Sequence, residues 1–365
     1  MKVGILTITN GANYGNRLQN YAVQTVIERL GLKAETLYNF TGQGNKNKYI
    51  IKKKAKRITA TICGEIFKVN NLKTLILLRE KRFQDFNNKY IYQSEYNISS
   101  NDIPSNINNY YDYFITGSDQ VWNPEFICNS EIDFLTFAPK EKRIAYSPSF
   151  GISKLPDKYK HDYGKWIKEM QAVSVREKAG AEIIKNISGI NAPVLVDPTL
   201  MLSKNEWLNI SEKPKYIKNS KFILTYFLGK LNSKDREKIL NIAKINNMEI
   251  INLLDSSNRN IYLTNPSEFI WLINNCHLMC TDSFHGVVFS LIMKSNFIIF
   301  ERNSQGGSMN SRVENLMDIF KIKDRLSSYI KDEEIFNMDF SNVDAIIKIE
   351  REKAINYLKK AFKIC

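Results

Sequence analysis

Apolar runs of strand length alternate with amphipathic stretches of helical length through most of this 365-residue chain, which restricts it to parallel α/β units. Residues 2–8 read as a strand, 16–30 as a helix stopped by Gly31, and 33–38 as a second strand. Further strands are expected at 113–116, 143–147, 172–176 and 194–197. A polar stretch at 203–220, holding Pro214, breaks the pattern and reads as a linker. A second series follows, with strands at 221–228, 249–254, 278–281 and 296–300 and helices at 233–246, 266–275, 286–294 and 311–320. Residues 341–365 read as a last amphipathic helix. Because single cores stop growing at about 250 residues, the two series predict two domains, 1–202 and 221–335, with a deep cleft between them.

Charge is the next constraint. The chain carries 52 Lys and Arg against 38 acids, a net +14, and calls for an anionic substrate, surface or polymer. Residues 46–89 hold 13 Lys or Arg against three acids, which is ten of those charges. This basic helical insertion in the first domain places Ile50, Ile51, Ile58, Ile62, Ile66 and Val69 at helical spacing beside Lys52, Lys53, Lys54, Lys56 and Arg57. Such a helix suits either an anionic membrane surface or a solvated face. No nucleic-acid module is recognisable, and none is expected as a partner. Five scattered cysteines (Cys63, Cys128, Cys276, Cys280, Cys365) do not form a disulfide framework, and the apolar run 3–8 is too short for a signal segment. A cytoplasmic protein is expected.

In parallel sheets, ligands bind beyond the carboxyl ends of strands, so the polar residues there carry the chemistry. After the first strand comes a loop with Asn13, Asn16 and Gln19, whose backbone N–H groups suit an anion or sugar hydroxyls; the alternative is a tight turn with Asn16 as helix cap. Gly117-Ser118-Asp119-Gln120-Val121-Trp122-Asn123 presents a carboxylate, an amide and an indole. Asp119 suits proton transfer from a sugar hydroxyl and Trp122 suits packing on a pyranose, unless they are a cap and a core residue. Arg176 stands at a strand end, able to fork onto an anion or to pair with Glu177. Asp197-Pro198-Thr199 reads as structural. His285 alone among three histidines stands at a strand end and helix start, with Arg302 and Arg312 downstream, a setting for proton transfer beside a phosphate. His277 lies between Cys276 and Cys280, but no second ligand cluster completes a metal site, and no metal is expected.

Taken in order, Gly15-Asn16-x-x-Gln19-Asn20-Tyr21-Ala22, Gly117 to Asn123, Val173-Ser174-Val175-Arg176-Glu177, Asp197-Pro198-Thr199, Ser283-Phe284-His285-Gly286 and Asn310-Ser311-Arg312 resemble the polysaccharide pyruvyl transferase family, over about residues 3–320. The resemblance implies a GT-B-like fold of two Rossmann-like domains. It also implies transfer of pyruvate from phosphoenolpyruvate to a sugar of a cell-surface polysaccharide or its lipid-linked precursor, as a cyclic ketal, with release of phosphate and no cofactor. On that reading Asn13, Asn16, Gln19, Ser118, Asp119, Gln120, Trp122 and Asn123 bind the acceptor. Arg176, Ser283, His285, Gly286, Arg302 and Arg312 bind phosphoenolpyruvate, and His285 and Asp119 serve as acid and base, in either order. Some members carry arginine where this chain has Ser283, so Arg302 or Arg312 must take its place. A lipid-linked acceptor adds an expectation of peripheral contact at the inner face of the membrane.

Two other readings compete. A GT-B nucleotide-sugar glycosyltransferase is expected to carry a ribose-binding glutamate near Ser290, where none stands. A non-catalytic binder of anionic polymer or lipid would use the basic segment and leave the strand-end residues without a role.

Overall fold

The computed structural model describes residues 1–42, 46–66, 71–126, 129–218, 221–302 and 311–364. The chain divides into two compact units, residues 1–52, 87–202 and 347–365 in the first and residues 53–86 and 203–346 in the second.

The first unit is built on six strands: β1 (Lys2–Leu6), β2 (Lys33–Asn39), β3 (Gln93–Ile98), β4 (Tyr113–Thr116), β5 (Arg143–Ala145) and β6 (Ala172–Val173). They lie in the order β3-β2-β1-β4-β5-β6, every neighbouring pair parallel. The central strands are apolar on both faces, as a parallel sheet covered on both sides requires; Val3, Ile5, Phe114, Ile115 and Ile144 are all fully buried. The chain works outward from β1 to β3, returns to set β4 beside β1, then works outward the other way. That is the Rossmann order, with its switch point between β1 and β4. The edge strand β3, Gln-Ser-Glu-Tyr-Asn-Ile, is mostly polar and only Ile98 is buried, which hides it from a search for apolar runs. The strand expected at 194–197 is reduced to one parallel bridge, Val194 to Val175, because Pro198 opens a 3-10 turn capped by Asp197.

The second unit has four strands, β7 (Phe222–Tyr226), β8 (Glu249–Asn252), β9 (Leu278–Thr281) and β10 (Phe297–Ile299), in the order β10-β9-β7-β8 and again all parallel. Here the order reverses between β7 and β9. The helix Phe284–Met293 is apolar nearly all round, and every one of its residues is buried. Ile223, Ile239, Ile242, Leu278, Cys280 and Ile298 form the core on one side of this sheet.

Three boundaries differ from the sequence reading. Residues 203–218 are part of the second unit: Ser203 and Glu206 form a capping box, and Trp207 is fully buried, edge-on to Phe289 at 4.9 Å. Truncating such a tryptophan costs about 3–5 kcal/mol, so this stretch is no free linker. Residues 53–86 of the basic segment, expected in the first domain, lie with the second unit. There Arg79 donates to the carbonyls of Leu253 and Tyr262, and Arg82 Nη2 meets both Glu268 oxygens at 3.0 Å. The last helix, Val343–Ala361, runs from the second unit into the first, where Arg351 donates to the carbonyls of Leu200 and Leu202 and Tyr357 to that of Ala145. Among the described residues no helix is long and apolar enough to cross a membrane.

Candidate active site

At the β1/β4 switch point the chain must turn sharply out of β4. Gly117 does so at φ +116°, and a Cβ there would stand 2.2 Å from the Tyr146 carbonyl oxygen, so only glycine fits. Asp119 follows in the left-handed region at φ 63°, and Ser147, beyond β5, at φ 49°. Left-handed residues other than glycine gather at functional sites, because surrounding contacts must hold them. Those contacts are specific. The Ser118 amide donates to Gln19 Oε1 at 2.9 Å, and Gln19 Nε2 donates to Thr7 Oγ1 at 2.7 Å. Ser118 Oγ reaches the Ser147 carbonyl at 2.8 Å and Asp197 Oδ2 at 3.1 Å.

Arg176, 2% exposed, stands inside this cluster and faces three buried carboxylates. Its Nη1 meets Asp197 Oδ2 at 2.8 Å, its Nη2 meets Asp119 Oδ1 at 3.4 Å, and its Nε lies 3.8 Å from Glu177 Oε2. Burial alone would lower its pKa; Asp197, then Asp119 and Glu177, outweigh that and hold it above the ordinary arginine value. Glu177 in turn accepts from Ser149 Oγ and the Phe150 amide, and Asp197 from Thr199. Arg176 is thus engaged in ion pairs, the alternative its neighbour Glu177 had suggested, with two more acids than expected.

Of the expected acceptor residues, Asn16, Gln19, Ser118, Asp119 and Asn123 are buried, while Asn13 and Gln120 are half-buried. Asn13, not Asn16, caps the helix Tyr14–Arg29, its Oδ1 accepting from the Asn16 amide. Asn123 Nδ2 donates to Gln120 Oε1 at 2.8 Å. Trp122 is a core residue: it is fully buried, stacked on Phe134 at 5.0 Å and 8°, with its indole N–H on the Asp133 carbonyl. It has no face left for a sugar. Sequence reasoning missed Tyr146, whose hydroxyl is buried with no hydrogen-bond partner among the described residues; burial, then Asp197, keeps it protonated well above its ordinary pKa.

In the second unit the matching place is the β7/β9 switch point. Thr281 Oγ1 donates to the Tyr226 carbonyl at 2.6 Å and accepts from the Ser283 amide, tying the two strand ends together. Ser283 caps the helix Phe284–Met293, its side chain accepting from the Gly286 amide, so it occupies the position of the absent arginine as a cap. Gly286 lets that helix approach β9, since a Cβ would meet Thr281 Oγ1 at 2.6 Å and Cγ2 at 2.9 Å. His285 is buried in the first helical turn, edge-on to Phe284. Asp282, unassigned in the sequence reading, accepts from the amides of Leu228 and Gly229 at 2.7 Å and from Arg302 Nε at 3.0 Å. Gly229 is required there, because a Cβ would stand 2.8 Å from Arg302 Cγ and 3.0 Å from Asp282 Oδ2. Arg302 is therefore fixed beside the turn that carries His285. Arg312 is buried in the first turn of Ser311–Phe320; its motif neighbour Asn310 lies outside the described residues. Ser290, the register of the ribose-binding glutamate, turns its hydroxyl onto the Gly286 carbonyl within the helix.

Both clusters thus lie at carboxyl ends of parallel strands beside a reversal of strand order, the position where α/β enzymes bind their substrates. The family model of polysaccharide pyruvyl transferases matches residues 13–304, and the chain belongs to that family. It is accordingly a transferase, with a pyruvate donor and a polysaccharide acceptor. No curated protein matches the sequence. Solved structures similar to the chain include the UDP-GlcNAc 2-epimerase of Methanocaldococcus jannaschii, at 11% identity and TM-score 0.47, covering 97% of this chain and 99% of that one. The UDP-GlcNAc 2-epimerase of Neisseria meningitidis bound to UDP-GlcNAc is similar at 10% identity and TM-score 0.42, covering 97% and 100%. A Streptomyces glycosyltransferase is similar at 8% identity and TM-score 0.33, covering 99% and 96%.

Arg176→Ala leaves three buried carboxylates without their shared cation, and removal of one partner from such a cluster costs about 3–5 kcal/mol. Urea unfolding is expected to read a loss of that size, with Arg176→Lys intermediate because it keeps the charge without the fork. A loss below about 1 kcal/mol, the range of exposed pairs, would contradict the buried cluster.

Proposed function

We propose that the donor is phosphoenolpyruvate, held by the second unit, and that the acceptor is a sugar of a cell-surface polysaccharide or its lipid-linked precursor, held by the first. The observation that carries this is the setting of His285. A titratable imidazole stands in the first turn of a ten-residue helix with Arg302 fixed at its strand end, so a proton donor, a helix dipole and a guanidinium serve one anionic reactant.

The reaction follows from these groups. His285, as imidazolium, gives its proton to C3 of phosphoenolpyruvate, and the positive character that develops at C2 is shared with its oxygen. A sugar hydroxyl attacks C2 as Asp119 takes its proton. The C2–O bond to phosphate then breaks, phosphate leaves with the bonding pair, and a second hydroxyl closes the ketal with loss of its proton. Arg302 and Arg312 neutralise the phosphate and carboxylate. Arg176 acts on Asp119 as a positioning residue: its guanidinium, 3.4 Å away, fixes where the carboxylate stands. The reverse assignment, with Asp119 as acid and His285 as base, uses the same two groups. A nucleotide-sugar donor is disfavoured by Ser290, whose side chain is committed to its own helix.

Contact with the inner face of the membrane completes the reading. In the helix Lys46–Thr61, Ile51 and Ile58 are 68% and 53% exposed, and Lys52, Lys54 and Lys56 are exposed beside them. Apolar and basic groups together on the surface suit anionic lipid, at about 1 kcal/mol per basic residue.

Two outcomes are expected. Incubation with phosphoenolpyruvate and a glycan acceptor releases inorganic phosphate, and His285→Ala lowers the rate by about 10² to 10⁴-fold with an unchanged circular dichroism spectrum. Wild-type turnover in that variant would remove His285 from the chemistry. The protein sediments with anionic but not neutral vesicles, less so at high salt, and not after charge reversal of Lys52, Lys53, Lys54, Lys56 and Arg57. Equal sedimentation with both vesicle types would remove the membrane contact.

A further inference from the structure

A second cleft, of 530 Å³, opens at the carboxyl ends of β7 and β8, within the range of about 300–1,000 Å³ typical of small-molecule sites. Ile239 of the helix Ser233–Ile245 is buried against Ile223, whereas Ile250 of β8, paired in register with Ile223, is only partly covered, as are Phe227 and Leu231. Phe227, Leu231, Ile239, Leu240, Ile250 and Leu254 give the cleft an apolar side, and Thr225 and Asn252 also line it. Leu240, which lines the cleft, is 53% exposed, a large apolar side chain left in water.

The charge at this cleft has one sign. Lys230 and Arg236 line it, no carboxylate does, and among the described residues neither cation has an ion-pair partner. Two unpaired cations beside a run of apolar side chains favour a ligand that is anionic at one end and apolar along its body. Phosphoenolpyruvate has no such body, and a neutral sugar has neither feature.

We propose that this cleft binds an amphipathic phosphate, an apolar chain ending in a phosphate head, with the head between Lys230 and Arg236 and the chain along Leu231, Ile250 and Leu240. The cleft adjoins the donor cluster at Gly229, whose amide donates to Asp282, but Lys230, Arg236 and Leu240 are none of the groups assigned to donor or acceptor.

Calorimetric titration of the full chain with geranyl phosphate tests it, with geraniol and inorganic phosphate as the two halves of the probe. Geranyl phosphate is expected to bind saturably at one site with a negative heat-capacity change, at least tenfold more tightly than either half. Arg236→Glu and Leu240→Asp, both at exposed positions, should each weaken it at least tenfold and leave phosphate release from phosphoenolpyruvate unchanged. Absence of saturable binding, affinity untouched by both variants, or equal binding of geraniol or of inorganic phosphate would each overturn the proposal. Loss of phosphate release with geranyl phosphate binding intact would instead count against the pyruvyl transfer reading alone.

Discussion

Parallel strands place every carboxyl end on the same edge of a sheet, and where the order of strands reverses, the connections on the two sides part and leave that edge open. Both sheets of this protein are wholly parallel, with order β3-β2-β1-β4-β5-β6 in one and β10-β9-β7-β8 in the other. The position of the two polar clusters follows from that constraint. Gly117, Ser118 and Asp119 leave β4 beside β1; Asp282, Ser283 and His285 leave β9 beside β7. Each cluster is reached from the sequence by finding where an apolar run ends.

The two clusters solve different electrostatic problems. In the first, Asp119, Glu177 and Asp197 converge on Arg176, and hydroxyls of Ser118, Ser149 and Thr199 donate to two of these carboxylates. Such an arrangement is costly to assemble and rigid once assembled. The second cluster uses one acid, Asp282, as a clamp: two amides and Arg302 converge on it, and the turn before the His285 helix is fixed by Thr281 and Ser283. Position 283 holds a small helix cap, and the guanidinium beside this turn comes from position 302.

The alternation of apolar and amphipathic stretches was enough to read the two α/β series, and all four strands of the second sheet fall inside their expected ranges. What the alternation could not show has physical causes. β3 is an edge strand on which only Ile98 is buried, so it is mostly polar and lacks an apolar run. Trp122 was expected to face a sugar because it closes a polar turn. The left-handed residue Asp119 redirects the chain there and sends the indole into the core against Phe134, and a backbone angle of that kind leaves no mark on the pattern. Gln19 and Ser118 were read as ligand-binding groups from their polarity, yet they hydrogen-bond each other inside the protein and shape the turn that carries Asp119. Arg176 shows the same limit: its neighbour Glu177 was visible in sequence, whereas Asp119 and Asp197 reach it only through the fold. His285 was singled out because it stands at a strand end and helix start, whereas Asp282, three residues before it, meets Arg302 only through the fold.

Pyruvyl transfer from phosphoenolpyruvate is tested most directly by mass spectrometry of a glycan acceptor after incubation with the enzyme, offered phosphoenolpyruvate and a sugar nucleotide in separate reactions. The groups at the two switch points predict an acceptor carrying one pyruvate ketal, formed only with phosphoenolpyruvate and with one phosphate released per ketal. An acceptor enlarged by a hexose from the sugar nucleotide, with phosphoenolpyruvate left intact, would contradict it.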